Sequence, residues 1–123
     1  MNAFDPLRRK VSEDVDDNDL AFVANVIALY PQVERAYLFG SRARGQHRYN
    51  SDLDIGLVGD DVTTRLAGRL QSLLEGSHIP QRFDVLAVES LDDPAFRRHI
   101  LDEGILLYDR ATYRVPEHLT SAK

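Results

Sequence analysis

The sequence contains no cysteine. A disulfide framework and a thiolate metal site are therefore both excluded. It also lacks any apolar run near the roughly 18 residues that a membrane-spanning helix needs, so no membrane partner is expected. The opening stretch MNAFDPLRRKVSEDVDDND has no apolar core of the kind a signal peptide carries, and a cytoplasmic location is expected. An excess of positive charge is missing as well: 15 basic residues against 20 acidic ones leave a formal net charge of −5. That balance argues against a protein that coats nucleic acid through backbone charge, and direct nucleic-acid binding is not expected. Lysine is scarce, since thirteen of the fifteen cations are arginine. Arginine favours two-pronged contact with phosphates and carboxylates, which keeps a local phosphate site open.

What is present is an ordinary globular composition, 43% hydrophobic and 28% charged over 123 residues, enough for one compact domain and too little for two. Charge is unevenly spread. Glu13, Asp14, Asp16, Asp17 and Asp19 form an acidic cluster, while Arg42, Arg44, His47 and Arg48 form a basic one beside a glycine–serine pair. Residues 1–16 are highly charged and show little periodicity, which predicts a mobile acidic arm. The domain proper is expected over residues 17–110, with a tail over 111–123.

Hydrophobic spacing organises the domain. Leu20, Val23, Ile27 and Tyr30 recur at helical intervals, with Asp17, Asn18 or Asp19 as candidate caps and Pro31 just past the end. Residues 34–39, 52–58 and 82–88 read as strands rich in apolar and aromatic side chains. Thr63 or Thr64 can cap a helix bearing Leu66, Leu70, Leu73 and Leu74, with Gly76 as its stop. Asp92 or Asp93 before Pro94 begins another helix, which ends near Gly104. Residues 105–108, ILLY, can add a short final strand. The order predicts an α/β (α+β) layer, a small mixed sheet flanked by helices.

The chemistry concentrates in three carboxylates. In a strand over 52–58, Asp52 and Asp54 point the same way with Cα atoms roughly 6–7 Å apart, opposite Leu53, Ile55 and Leu57. Two like charges on an otherwise apolar strand are costly unless something cationic meets them. Paired arginines or full exposure would serve structurally. The functional alternative is a hard divalent cation, and magnesium favours one or two carboxylates plus substrate phosphates. Two such ions about 3.5–4 Å apart can clamp the attacking and leaving oxygens of a phosphoryl transfer. Asp84 is a third carboxylate, between Phe83 and Val85, and joins the others if the two strands are neighbours.

Gly40-Ser41 supplies the phosphate side. A glycine at a strand end lets backbone N–H groups approach an anion closely, and the serine hydroxyl can donate to a phosphate oxygen. Arg42 and Arg44 follow at once and can offset developing charge, though a solvated basic loop would look the same. His78 and His99 read as structural or exposed.

The segment GSRARGQHRYNSDLD, residues 40–54, has the form Gly-Ser, ten residues, Asp-x-Asp. With LFGSRARG at its start and EGILLY near the end of the similarity, the chain resembles the minimal nucleotidyltransferases (MNT proteins) of the polymerase-β-like nucleotidyltransferase superfamily. The resemblance runs from about residue 20 to residue 110. It implies that Gly40 and Ser41 hold the phosphates of a nucleoside triphosphate. It implies that Asp52 and Asp54 bind two Mg2+ ions, and that Asp84 binds the catalytic ion and helps deprotonate an acceptor hydroxyl. Larger members carry a second domain that grips the acceptor, for which this length leaves no room. Members of the MNT group resemble antitoxins that transfer AMP from ATP to a tyrosine of a partner HEPN ribonuclease toxin, releasing pyrophosphate, and the same function is expected here. Two alternatives remain open at this stage: an antitoxin that neutralises its partner by binding alone, and a small-molecule nucleotidyltransferase of the aminoglycoside type.

Overall fold

A computed structural model of the chain describes residues 17–40 and 52–114. Helix α1 (Asp17–Ala28) leads into strand β1 (Arg35–Phe39), and β2 (Leu53–Val58) follows. Helix α2 (Thr64–Glu75) then precedes β3 (Phe83–Ala87), a single 3-10 turn over Val88–Ser90, helix α3 (Pro94–Glu103) and strand β4 (Ile105–Asp109). The four strands form one mixed sheet in the order β3-β2-β1-β4. β1 pairs antiparallel with β2 and with β4, while β2 and β3 run parallel. The expected α/β (α+β) layer is therefore observed, and ILLY is a sheet strand.

Local chemistry explains where the elements begin and end. The Thr63 hydroxyl accepts from the Leu66 N–H at 3.1 Å and caps α2. The Gly76 N–H returns to the Ser72 carbonyl at the other end. Asp93 caps α3 through the Ala95 N–H at 2.9 Å, with Pro94 at the first helical position. The first helix differs from expectation: its described span is Asp17–Ala28. Asp17, Asn18 and Asp19, the candidate caps, are thus themselves helical, and the Asp19 carboxylate meets His78 at 2.8 Å. The 1–16 arm lies outside the described residues, as does everything after Arg114. Within the expected tail, Tyr113 folds back so that its ring lies 5.3 Å from that of Tyr108.

The two faces of the sheet are covered unequally. On one face Ala36, Leu38, Leu53, Ile55, Leu57, Phe83 and Val85 pack against α1 and α2, through Leu20, Ala24, Ile27, Leu66 and Leu70 among others. Full burial of each large side chain contributes about 1.5–3 kcal/mol. Leu70, fully enclosed there, would cost about 2–5 kcal/mol as alanine. The opposite face carries a smaller cluster of Phe39, Val58, Val88 and Ile100, with Tyr37, Leu86 and Leu91 against it. Among the described residues α3 is the helix that crosses this second face. It sits low over Gly56, where a Cβ would lie 2.9 Å from Val88 Cγ2 and 3.0 Å from Ile100 Cγ2. The helix covers the end of the sheet where β2 and β3 finish.

Candidate active site

β2 alternates strictly. Leu53, Ile55 and Leu57 enter the larger core, which turns Asp54 and Gly56 to the face that α3 only partly covers. Antiparallel pairing sets Asp54 opposite Phe39, the last residue of β1. Parallel pairing sets Asp54 opposite Asp84 on the other side. Adjacent strands run about 4.7–4.9 Å apart, so these two carboxylates project side by side. Asp84 is exposed between buried Phe83 and Val85. Two acids aligned across an apolar pair of strands repel each other, and packing gives no reason for them.

The end of β1 adjoins this pair. β1 ends at Phe39 and the chain turns at Gly40, the backbone of which adopts φ +77°. That conformation is open to glycine and disfavoured for other residues. The space argues the same way, because a Cβ on Gly40 would run into the Asp54 carboxylate. The bare backbone of Gly40 and the acid of Asp54 share one small volume. Asp52 immediately precedes β2 and is exposed. The structure thus brings Gly40, Asp54 and Asp84 together, with Asp52 two residues before Asp54. Ser41, Arg42 and Arg44 lie outside the described residues, as do His47 and Arg48.

Residues 17–113 match the family model for polymerase beta nucleotidyltransferases. The chain belongs to this family. A curated relative, the "Probable protein adenylyltransferase MntA" of Haemophilus influenzae, is 30% identical over 74 residues, 59% of this chain and 65% of that protein. This nucleotidyltransferase-family chain therefore spans just under two thirds of the length of the relative it matches. A solved minimal nucleotidyltransferase is 31% identical at a TM-score of 0.57, over 76% of this chain and 98% of that one. A toxin-antitoxin structure with AMP-PNP superposes at a TM-score of 0.61 and 22% identity, over 75% of this chain and 73% of that one. A structure of the toxin-antitoxin MntA-HepT superposes at 0.59 and 19% identity, over 76% and 73%. At those identities the last two establish the polymerase-β-like fold.

The donors gathered at this candidate site are carboxylate oxygens. Among the described residues no three acidic or imidazole side chains come together to hold an ion by themselves. The residues nevertheless fit a hard divalent cation. Magnesium is commonly held by one or two carboxylates and completes its shell with phosphate oxygens and water. Asp54 and Asp84 could supply that pair, with Asp52 two residues before Asp54. The two histidines read as structural or exposed lie in ordinary contacts. His78 bonds to Asp19 at 2.8 Å and meets the Phe22 ring edge-on at 5.0 Å. His99 faces Glu103 at 3.6 Å, one turn along α3.

Sequence reasoning did not anticipate two residues beside these carboxylates. Phe39 lies directly across from Asp54, and Phe96 of α3 meets the Phe39 ring edge-on with centroids 5.9 Å apart. Phe39 had a visible signal, since it immediately precedes Gly40. Phe96 had none, because its helical spacing is that of an ordinary core residue. Among the described residues no helix is long and apolar enough to cross a bilayer.

Proposed function

We propose that the chain is a magnesium-dependent nucleotidyltransferase that moves AMP from ATP to a hydroxyl of a partner protein, a tyrosine of a HEPN-type ribonuclease toxin, and so acts as an antitoxin in the cytoplasm. One observation carries the chemistry: Asp54 and Asp84 stand in register on neighbouring strands, and the side-chain-free turn at Gly40 abuts the first of them. The choice of AMP and of a protein acceptor is supported by the name of the Haemophilus influenzae relative, a probable protein adenylyltransferase. The choice of partner is supported by the toxin-antitoxin structures that share the fold, one of them with AMP-PNP. The catalytic unit is residues 17–110, flanked by an arm over 1–16 and a tail over 111–123.

The residues divide the work as follows. Gly40 allows main-chain N–H groups to come close to the triphosphate, and the Ser41 hydroxyl donates to it. Arg42 and Arg44 offset charge on the phosphates. Asp52, Asp54 and Asp84 hold two magnesium ions, which when bound neutralise charge on the phosphate oxygens. The acceptor oxygen forms a bond to the α-phosphorus, the bond to the pyrophosphate oxygen breaks, and the hydroxyl proton passes to the Asp84 carboxylate. Most of the rate advantage comes from alignment and charge placement, because in-line phosphoryl transfer demands little covalent chemistry from the protein.

The deciding experiment incubates the full chain with α-labelled ATP, magnesium and the partner protein encoded beside it. Label appears on the partner, and Asp54→Asn and Asp84→Asn abolish it. Absence of label with the native chain would overturn the reading. Full neutralisation of the partner by Asp54→Asn would favour an antitoxin that works by binding alone. Label on an added aminoglycoside and none on the partner would favour a small-molecule transferase.

A further inference from the structure

From the aromatic pair on the partly covered face of the sheet, we infer that Phe96 forms the surface on which the nucleotide base stacks. The inference rests on the site being a nucleotide site and adds what recognises the base. Asp54 has two cross-strand neighbours, Asp84 on β3 and Phe39 on β1. They define two sides. Asp84 is the side from which an acceptor hydroxyl gives up its proton. Phe39 leads directly into the Gly40 turn, so the β1 side is where the nucleotide lies. Phe39 itself is buried, only 7% exposed, and offers no face to a ligand. Phe96 covers it edge-on, at an interplanar angle of 75°, and remains 36% exposed. An edge-on contact uses the rim of one ring and leaves face area free for a planar partner.

The helix carrying Phe96 is oriented to present it there. Ile100 points down into the sheet over Gly56. Arg97 and Leu101 lie along the flank that meets Val88 and Glu89, towards the closed end of the sheet. Phe96 lies on the other side of the Ile100 direction, towards Phe39 and the carboxylates. Tyr37, the next aromatic along that face of β1, is already engaged. The Arg35 guanidinium lies over its ring at 5.7 Å and donates to its hydroxyl at 2.9 Å. Among the described residues Phe96 is thus the aromatic surface available beside Asp54. Every nucleobase has a π-face, so such a platform favours a base over none and discriminates weakly among bases.

The chain contains no tryptophan, so Phe96→Trp installs a single indole at the site. Its fluorescence is followed on titrating the full chain, in magnesium, with ATP and separately with inorganic tripolyphosphate. Quenching by ATP and none by tripolyphosphate is expected. Phe96→Leu keeps an apolar contact with Phe39 and removes the ring face. It should weaken ATP binding by calorimetry about ten-fold and leave tripolyphosphate binding unchanged, in line with the loss typical of one base–aromatic stack. An unchanged thermal midpoint in Phe96→Leu ties that loss to the ring. Equal quenching by both ligands, or unchanged ATP affinity in Phe96→Leu, would overturn the inference while leaving the site a nucleotide site. Loss of partner-protein affinity with ATP affinity intact would overturn it too and assign Phe96 to the acceptor. Failure of ATP to bind the native chain would instead bring down the underlying functional reading, and this inference with it.

Discussion

The side-chain oxygen of Gln71 accepts the backbone N–H of Val85 at 3.0 Å. One turn further along α2, Glu75 does the same for Phe83 at 3.2 Å. β3 is an edge strand, and its outward N–H groups would otherwise stand open to pairing with another chain. Gln71→Ala and Glu75→Ala should each destabilise the domain by about 1 kcal/mol, a typical net value for one hydrogen bond. For a domain near 100 residues that lowers the thermal midpoint by about 4–8 °C. Nucleotide affinity should not change, and aggregation on heating should rise most in the double variant. Differential scanning calorimetry with light scattering reads both.

Asp84 is expected to work against stability. It stands opposite Asp54, and directly opposed like charges cost about 0.2–1 kcal/mol. Asp84→Asn should raise the midpoint slightly in chelator while eliminating nucleotidyl transfer. Magnesium with a non-hydrolysable ATP analogue should raise the midpoint of the native chain and barely move that of Asp84→Asn, because ligand stabilisation follows affinity for the folded state. A lower midpoint for Asp84→Asn in chelator would show the acid to be structural.

At Gly40 the expected injury is larger than the side chain suggests. Alanine there suffers the positive φ of 77°, at about 1–2 kcal/mol, and its methyl displaces the Asp54 carboxylate. Gly40→Ala should fold with a lowered midpoint and lose at least about a hundred-fold in transfer rate, as expected when a group is misplaced by about an ångström. Rates measured under conditions where circular dichroism shows full folding separate the two effects.

Gly56→Ala tests the seat of α3. Its Cβ would press on Val88 and Ile100 at 2.9 and 3.0 Å, and such overpacking typically costs about 1–3 kcal/mol. Because α3 also carries Phe96, urea titration should report the lost stability and ATP calorimetry a weakened affinity in the same variant.

Alkaline pH should loosen the β4 end. Burial raises the Tyr113 phenol above its ordinary value of 10.0, and the neighbouring Tyr108 pushes the same way. Tyr108 is raised as well, again chiefly by burial and against an opposing effect of Arg110. Folding favours the neutral phenols. Their contribution is complete below pH 10 and drains away as pH climbs through the raised values. The Tyr113 hydroxyl is buried without a hydrogen-bond partner among the described residues. Tyr113→Phe should therefore be neutral or stabilising by about 1 kcal/mol at pH 7, and should flatten the decline above pH 10 in urea titrations.

Much of this was legible in the sequence because each element carried its own local signal. Thr63, Gly76, Asp93-Pro94 and Gly104 mark the ends of two helices within a residue of where they fall. The alternation in DLDIGLV assigns Asp54 and Leu53 to opposite faces without any coordinates. The relations between elements were not legible. No local pattern says that β1 lies between β2 and β4, or that Asp84 aligns with Asp54 rather than one position away, since register is decided by how both strands bury their apolar sets. The same holds for Gln71 and Glu75, which read as solvated helix positions until β3 is placed beside them. At the other extreme, the first helix takes in Asp17, Asn18 and Asp19, which lie ahead of its apolar spacing. Polar residues suit a helix as well as a cap, and spacing alone does not separate the two.

A side chain at position 40 and the acid at position 54 compete for one volume. Any lineage that acquires a side chain at the turn must push the acid aside, and any lineage that has discarded the acid is free to acquire one. If the proposed site is right, the residue at 40 is expected to be glycine wherever that site is in use. It can be read from a bare sequence, even where all three aspartates still stand.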